Sequence, residues 1–317
     1  MVEIETGKEF TPEEMEALRA RVRAIKEAEN LPLSRMAKEA SLALGTFSNW
    51  LGDTYAGDNS RVAHEITKWL NVRASRAAVA ATMPAAPGFL MTETASAIFD
   101  VLEHAQSMPE LVVITGGSGV GKTFATRAYR DRSPNVWIIT AQPSFGTPRA
   151  MLRDIAQALQ IDEKYSAQHI SRSIAAKLAA TRGLLIVDEA QYLWSDAVDQ
   201  LRTLYDQVEI GVALVGNERV YRRLVGDQIF SRVGMRLSRE KSLARDVEIV
   251  LDAWEITGAS ERKLLRAIAR KPGALRGLTK ALRIAHMLAA SDHRGINQDD
   301  ISAAWSRVSN GNLEGGQ

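Results

Sequence analysis

GGSGVGKT, residues 116–123, decides how this 317-residue chain reads. It fits G-x-x-x-x-G-K-[ST], and it stands between a short β-branched run at 111–115 (LVVIT) and a helical stretch that starts at Phe124. Strand, glycine loop and helix in that order separate a phosphate-binding loop from a merely flexible glycine turn. Glycines let such a loop wrap with its N–H groups turned inward, and the helix that follows aims its positive end at bound phosphates. The reading therefore assigns ATP to Gly116, Gly117, Ser118, Gly119, Val120, Gly121, Lys122, Thr123 and Phe124. Within that set Lys122 reaches the β- and γ-phosphates, and Thr123 ligates Mg2+.

Downstream of the loop, three more apolar runs follow at 136–141 (VWIITA), 184–188 (LLIVD) and 211–215 (GVALV). Short continuous runs of this kind, separated by helix-like stretches, predict buried parallel strands in an α/β sheet covered on both faces. The third run ends in two acids. Asp188 is placed to hold the magnesium through water, and Glu189 to polarise the water that attacks the γ-phosphate. A pair of strand-terminal acids can equally cap the next helix; standing downstream of a phosphate loop selects the catalytic reading. After the fourth run comes Asn217, whose amide can orient the attacking water, although a lone Asn after a strand is more often a turn residue. Beyond residue 246 only helices are expected, at 246–256, 261–271, 275–290 and 299–308, with Gly258, Pro272, Gly273 and Gly295 as breaks.

Upstream of the loop the pattern is helical. Met15, Leu18, Val22 and Ile25 recur at helical spacing, and Thr11, Pro12 and Glu14 form a helix-start signal. Within 33–51, LSRMAKEASLALGTFSNWL, the residues Met36, Ala37, Ala40, Leu42, Phe47 and Trp50 have the spacing of a helix-turn-helix. Ser41 stands where the turn glycine is usual. Its groove-facing positions are Gly45, Thr46, Ser48 and Asn49, all small, with no Arg to read guanine, so weak sequence specificity is expected. Arg35, Lys38, Arg61 and Lys68 are the candidate phosphate contacts. A helical hairpin that serves protein contacts is the competing reading. Residues 74–88 (ASRAAVAATMPAAPG) have linker composition. The expected partition is a helix-turn-helix domain at 1–73, a linker at 74–88, a nucleotide-binding core at 89–245, a basic helical subdomain at 246–310 and a tail at 311–317.

Composition narrows the chemistry. A hydrophobic fraction of 45% suffices for a core in each domain, and zero cysteines exclude disulfides, thiolate zinc and a Cys nucleophile. The acidic start MVEIETGKEF carries no signal-peptide pattern, and Pro84, Pro87 and Gly88 interrupt the one weakly polar stretch, so a soluble, cytoplasmic protein without membrane contact is expected. Forty basic against thirty-eight acidic residues give a net charge of only +2, yet the distribution is uneven. Residues 219–245 carry eight basic and two acidic groups, and residues 262–283 carry eight basic groups and no acid. Such runs suit a phosphate backbone, with Arg270, Lys271 and Lys280 as candidate DNA contacts. A lid over ATP phosphates and a subunit contact are the alternatives.

The ordered set GGSGVGKT, LLIVDE and VGN, followed by a basic segment and a helical lid, resembles the AAA+ ATPases. The resemblance implies an arginine supplied to the nucleotide of the neighbouring subunit. IFSRVGMR (229–236) matches that segment through Arg232, with Arg236 in reserve, and PGALRGL (272–278) places Arg276 as the lid arginine at the γ-phosphate. Surface charge is the bland reading of each. An arginine given in trans implies an oligomer. The whole order, with LSRMAKEA, NWL and the Tyr55-x-Gly57-Asp58 segment, resembles the B transposition protein family of phage Mu and Mu-like prophages. That resemblance implies an ATP-dependent, sequence-nonspecific binder of double-stranded DNA that forms a helical filament on the target, delivers it to a transposase and stimulates strand transfer. It also implies target immunity through hydrolysis. A helicase loader or secretion-type ATPase would share the nucleotide motifs without the first domain, and an ATP-switched transcriptional regulator would need more at its groove positions than this chain has.

Overall fold

The computed structural model describes residues 10–82, 87–162, 164, 166–179, 181–224, 230–290 and 294–309. The chain divides into two compact units, residues 1–84 and 85–317. Among the described residues no helix is long and apolar enough to cross a membrane.

Among the described residues the first unit has four helices: α1 (Pro12–Ala28), α2 (Leu33–Glu39), α3 (Leu44–Leu51) and α4 (Asn59–Thr82). Helix α1 starts on a reciprocal cap in which Thr11 Oγ1 accepts from the Glu14 N–H and Glu14 Oε2 accepts from the Thr11 N–H. Helices α2 and α3 meet at a turn where Ser41 adopts φ +57°, the left-handed conformation that the usual glycine would take without strain. Met36, Phe47, Trp50, Val62 and Ile66 are fully buried between the helices. Arg19 of α1 is buried with them: its Nε donates to the Trp50 carbonyl at 2.8 Å, its guanidinium stacks 5.1 Å over the Trp50 ring and its outer nitrogen pairs with Asp53 at 2.6 Å. Glu39 fastens α2 to α4 by accepting from Trp69 Nε1 and from Arg73, and also pairs with Arg35. The Trp69 hydrogen bond, then Arg35, hold its carboxyl below the usual range.

The division between the units, after Pro84, falls inside the 74–88 stretch read as linker. Residues 74–82 of that stretch continue α4 to Thr82, and residues 83–86 lie outside the described residues. Alanine is the best helix former, and a run of it behind an established helix propagates that helix at little cost.

The second unit is a five-stranded parallel sheet in the order β2-β3-β4-β1-β5, made of β1 (Leu111–Gly116), β2 (Val136–Thr140), β3 (Leu184–Asp188), β4 (Gly211–Gly216) and β5 (Val233–Arg239). Four strands coincide with the apolar runs. The fifth lies where only the arginine segment was expected. Helices α5 (Glu93–Ser107) and α6 (Lys122–Arg132) cover one face, where Ile98, Leu102, Ala125 and Tyr129 meet Val112, Ile114, Ile186 and Val215. Helices α7 (Pro148–Ala158), α8 (Ala167–Leu178) and α9 (Ser195–Gln207) cover the other, where Ile155, Ile170 and Leu201 meet Val113, Leu185, Val187 and Leu214. Cover on both faces leaves β1, β3 and β4 buried at every position, which is why their runs are apolar up to Thr115 and Asp188 at the site end. A short helix, α10 (Arg219–Leu224), follows β4.

Helices α11 (Ala244–Ala253), α12 (Ala259–Ala269), α13 (Ala274–Ala290) and α14 (Gln298–Val308) form the lid around Leu251, Leu265, Leu278, Leu282 and Ile301. Asp246, wholly buried in the first turn of α11, accepts from the Thr94 N–H and hydroxyl and so ties the lid to the first turn of α5. Asp300 closes a reciprocal cap with Asn297 at the start of α14 and also takes both outer nitrogens of Arg294. The Arg294 hydrogen bond holds the Asp300 carboxyl below its usual range. A depressed folded-state pKa contributes stability above the ordinary aspartate value, roughly 4, and loses it as pH falls through the lowered value. Asp300→Asn is therefore expected to lower stability at neutral pH by about 1–3 kcal/mol and to narrow its gap to wild type as the pH drops toward 2, read by urea melts across pH. A constant gap from pH 7 to pH 2 would contradict the assignment.

Candidate nucleotide site

The phosphate loop leaves the end of β1, which lies between β4 and β5. The neighbouring end of β5 supports it directly, because the Gly117 N–H donates to the Arg239 carbonyl at 3.0 Å. Helix α6 then starts at Lys122 behind Gly121, which has φ +106°. Lys122 Nζ arches back over the loop to donate to the Gly116 and Gly117 carbonyls at 2.8 and 2.9 Å. Thr123 and Asp188, which are 65 residues apart, meet across β4: Thr123 Oγ1 donates to Asp188 Oδ2 at 2.8 Å, while Asp188 Oδ1 accepts from the Glu189 N–H.

Burial dominates the electrostatics. It pushes the Asp188 carboxyl up, against the hydrogen bonds from Thr123 and the Glu189 N–H, and the Glu189 charge adds to the rise. It pushes the Lys122 ammonium down, with Arg276 adding to the effect and Glu189 and Asp188 opposing it. A cation beside Asp188 and an anion beside Lys122 relieve both penalties. A hydroxyl and a carboxylate at hydrogen-bonding distance are the donor set of a hard divalent ion that keeps several waters, so the residues fit Mg2+. Its charge would stabilise the oxygens of the phosphates in the reaction.

The lid closes over the loop through backbone. Gly119, with φ +82°, lies so near α13 that a Cβ added there would stand 2.0 Å from the Gly273 carbonyl oxygen. Its own carbonyl accepts from the Arg276 N–H at 3.3 Å. That contact sets Arg276 in the first turn of α13 near Lys122. A cavity of about 700 Å3 opens alongside, lined by Gly117, Ser118, the 240–244 segment, Glu248, Arg266 and residues 269–274. Its size is that of a small-molecule or cofactor site.

The structure thus brings together Gly116, Gly117, Gly119, Lys122, Thr123, Asp188, Glu189 and Arg276. Val120 is buried under the loop, Ser118 is exposed, and Phe124 is 71% exposed, with its backbone in the first turn of α6. Asn217 spends its Oδ1 on the Arg219 N–H, capping α10. Gln191, which the sequence reading passed over, is buried between Glu189 and Asn217 and touches both. No motif marks it, since its role depends on two strands meeting.

Arg232 is not at this site in its own chain. Val233 pairs with Leu111, the first residue of β1, so Arg232 stands at the end of the strands opposite the loop, about 20 Å along β1. There its Nε pairs with Asp206 at 2.9 Å. Arg236 lies exposed along β5.

The basic run at 262–283 is less bare than its sequence. Arg262 pairs with Glu248 and Asp252, and Arg266 with Glu248, so α11 neutralises the start of the run. Arg270 and Lys271 line the cavity beside the phosphate loop, which places them on the nucleotide side of the lid. Lys280 lines a separate cavity of about 400 Å3 with Lys271, Arg276 and Trp305. In the first unit Lys38, Ser48 and Asn49 are exposed and Thr46 is half-buried, while the Arg35 charge is shared with Glu39 at 3.1 Å.

Comparison with known proteins adds three kinds of likeness. An AAA domain family matches residues 105–224, and the family described as Mu B transposition protein, C terminal, matches residues 231–308. The chain is 35% identical over 299 residues to the ATP-dependent target DNA activator B of Escherichia phage Mu, covering 92% of this chain and 95% of that protein. It is also 35% identical over 257 residues to the Mu-like prophage FluMu DNA transposition protein B of Haemophilus influenzae, covering 78% of this chain and 88% of that one. Among solved structures, a Walker-type ATPase of Pyrococcus abyssi superposes with a TM-score of 0.50 over 72% of this chain and 75% of that chain, at 15% identity, a likeness of fold.

Proposed function

This chain belongs to the Mu B transposition protein family, and on that premise we propose that it is a Mg2+-dependent ATPase that coats duplex DNA with little regard to sequence. The ATP-bound form assembles as a helical filament in the host cytoplasm, delivers the coated DNA to a transposase as target and stimulates strand transfer. Hydrolysis removes the protein from DNA and so supplies target immunity. The observation that carries the reading is the Thr123 to Asp188 contact at 2.8 Å beside Glu189, in a chain alike along 92% of its length to a protein named ATP-dependent target DNA activator.

Each residue has a task in this reading. Lys122 and Arg276 neutralise phosphate charge, Thr123 and Asp188 hold Mg2+, Glu189 polarises the attacking water and Asn217 orients it. Arg232 acts on the next subunit's nucleotide, which fits its position at the end of the strands far from its own loop. Lys38, Arg35, Thr46, Ser48 and Asn49 of the first unit and Lys280 of the lid, with Arg270 and Lys271 beside it, supply DNA contacts. Electron microscopy of the protein with ATP on random-sequence duplex tests the assembly: filaments support the reading, and bare DNA or closed rings overturn it.

Arg232→Ala is expected to lower turnover about 1,000-fold while ATP affinity stays unchanged. Mixing it with Glu189→Gln subunits should restore part of the activity, because a mixed interface joins an intact loop to an intact Arg232. Unchanged turnover in the single variant would pass the role to Arg236.

A further inference from the structure

We infer that Gln191 is a positioning residue that locks Glu189 to the loop carrying Asn217, so that the two groups flanking the attacking water are held as one unit. This rests on the reading of Glu189 as the residue that polarises that water.

Gln191 is 6% exposed, two residues beyond Glu189 in a short helical turn. Its Nε2 donates to Glu189 Oε2 at 2.5 Å, and its Oε1 accepts from the Asn217 N–H at 3.2 Å. The partners fix which end of the amide is which, because a carboxylate only accepts and a backbone N–H only donates. No other side chain of this length offers a donor to one neighbour and an acceptor to the other. Methionine offers neither, and glutamate would set one acceptor against another.

The surroundings are shaped to this amide. A Cβ at Gly216, the last residue of β4, would stand 2.2 Å from Gln191 Oε1 and 2.7 Å from Val220 Cγ2. Glycine is therefore what lets Gln191 reach the Asn217 N–H. Glu189 itself holds φ +54°, a left-handed backbone that non-glycine residues seldom adopt. Among the described residues its Oε2 is engaged by Gln191 and its Oε1 by no side chain, which leaves one oxygen to accept from water. Asn217 has committed Oδ1 to the Arg219 N–H, which leaves its amide N–H groups to donate to water. One acceptor and one donor then flank the nucleophile, and the Gln191 amide bridges Glu189 to the Asn217 backbone by hydrogen bonds.

The test uses full-length protein with MgATP and duplex DNA, and compares Gln191→Met, Gly216→Ala and Glu189→Gln with wild type. Gln191→Met keeps volume and burial, so its melting temperature should hold while kcat falls about 100-fold, the cost of roughly 1 Å of misplacement. ATP affinity should change less than threefold. Gly216→Ala reaches the same end from the other side, by pushing the amide off the Asn217 N–H, and should reproduce that split. Wild-type turnover in both variants, with Glu189→Gln inactive, overturns the inference and leaves the ATPase reading standing. Parallel loss of ATP affinity and kcat overturns it too, since that marks a merely structural role. Wild-type turnover in Glu189→Gln removes the reading beneath it.

Discussion

Lys122→Ala is expected to abolish ATP turnover, by at least about 1,000-fold, and with it the ATP-dependent part of DNA binding. The ammonium is half-buried, burial lowers its pKa, and it hangs over the loop on the Gly116 and Gly117 carbonyls. A charge held in a water-poor site acts on phosphate at low effective dielectric, where it is worth far more than on the surface. Alanine leaves the loop intact, because the glycines and the Arg239 contact set its path, so the loss falls on phosphate recognition and not on folding. Filter binding of duplex DNA with and without nucleotide measures the consequence. If Lys122→Ala binds DNA with ATP as tightly as wild type, nucleotide is not the switch for assembly.

The second large effect is on folding. Trp50→Ala should cost about 3–5 kcal/mol, the usual range for a buried aromatic cut to a methyl group. At roughly 0.05–0.15 kcal/mol per residue, the 84-residue first unit has about 4–13 kcal/mol to lose. The Trp50 ring is fully buried and also carries the Arg19 guanidinium at 5.1 Å. Among the described residues its Nε1 has no hydrogen-bond partner, so the loss falls on packing and stacking. Trp50→Phe keeps much of that packing and removes the unpaired N–H, and should cost below about 1.5 kcal/mol. Circular dichroism of the full chain should show a new low-temperature transition for the alanine variant. ATP binding should persist in it, since every nucleotide residue lies in the second unit. A single unshifted melt would refute the assignment of Trp50 as the keystone of that unit.

Much of this architecture was legible in the sequence, and the misses have physical causes. Strands β1 to β4 are buried on both faces or nearly so, and therefore announce themselves as apolar runs. Strand β5, VGMRLSR, lies at the edge of the sheet and alternates half-buried with exposed positions, so its arginines read as a basic loop. Residues 74–82 read as linker because their composition is that of a linker, while the propensity of alanine makes them helix. The basic run at 262–283 looked unopposed because its acids, Glu248 and Asp252, come from a different helix. Candidate site residues that a local motif marks, such as Lys122, Thr123 and Asp188, were legible in the sequence, and the fold brings Thr123 to Asp188. Gln191 was not legible, because its two contacts exist only once β3 and β4 are adjacent.

The hydrogen bond from Arg276 to the Gly119 carbonyl makes phosphate loop and lid parts of one lever. Thermodynamic reciprocity then gives the lid a second meaning. If occupancy of the loop shifts the lid by some free energy, whatever grips the lid shifts nucleotide affinity by the same amount. Any partner that pressed on α13 would then be an effector of nucleotide binding without touching the nucleotide, and its strength would be read as a change in dissociation constant.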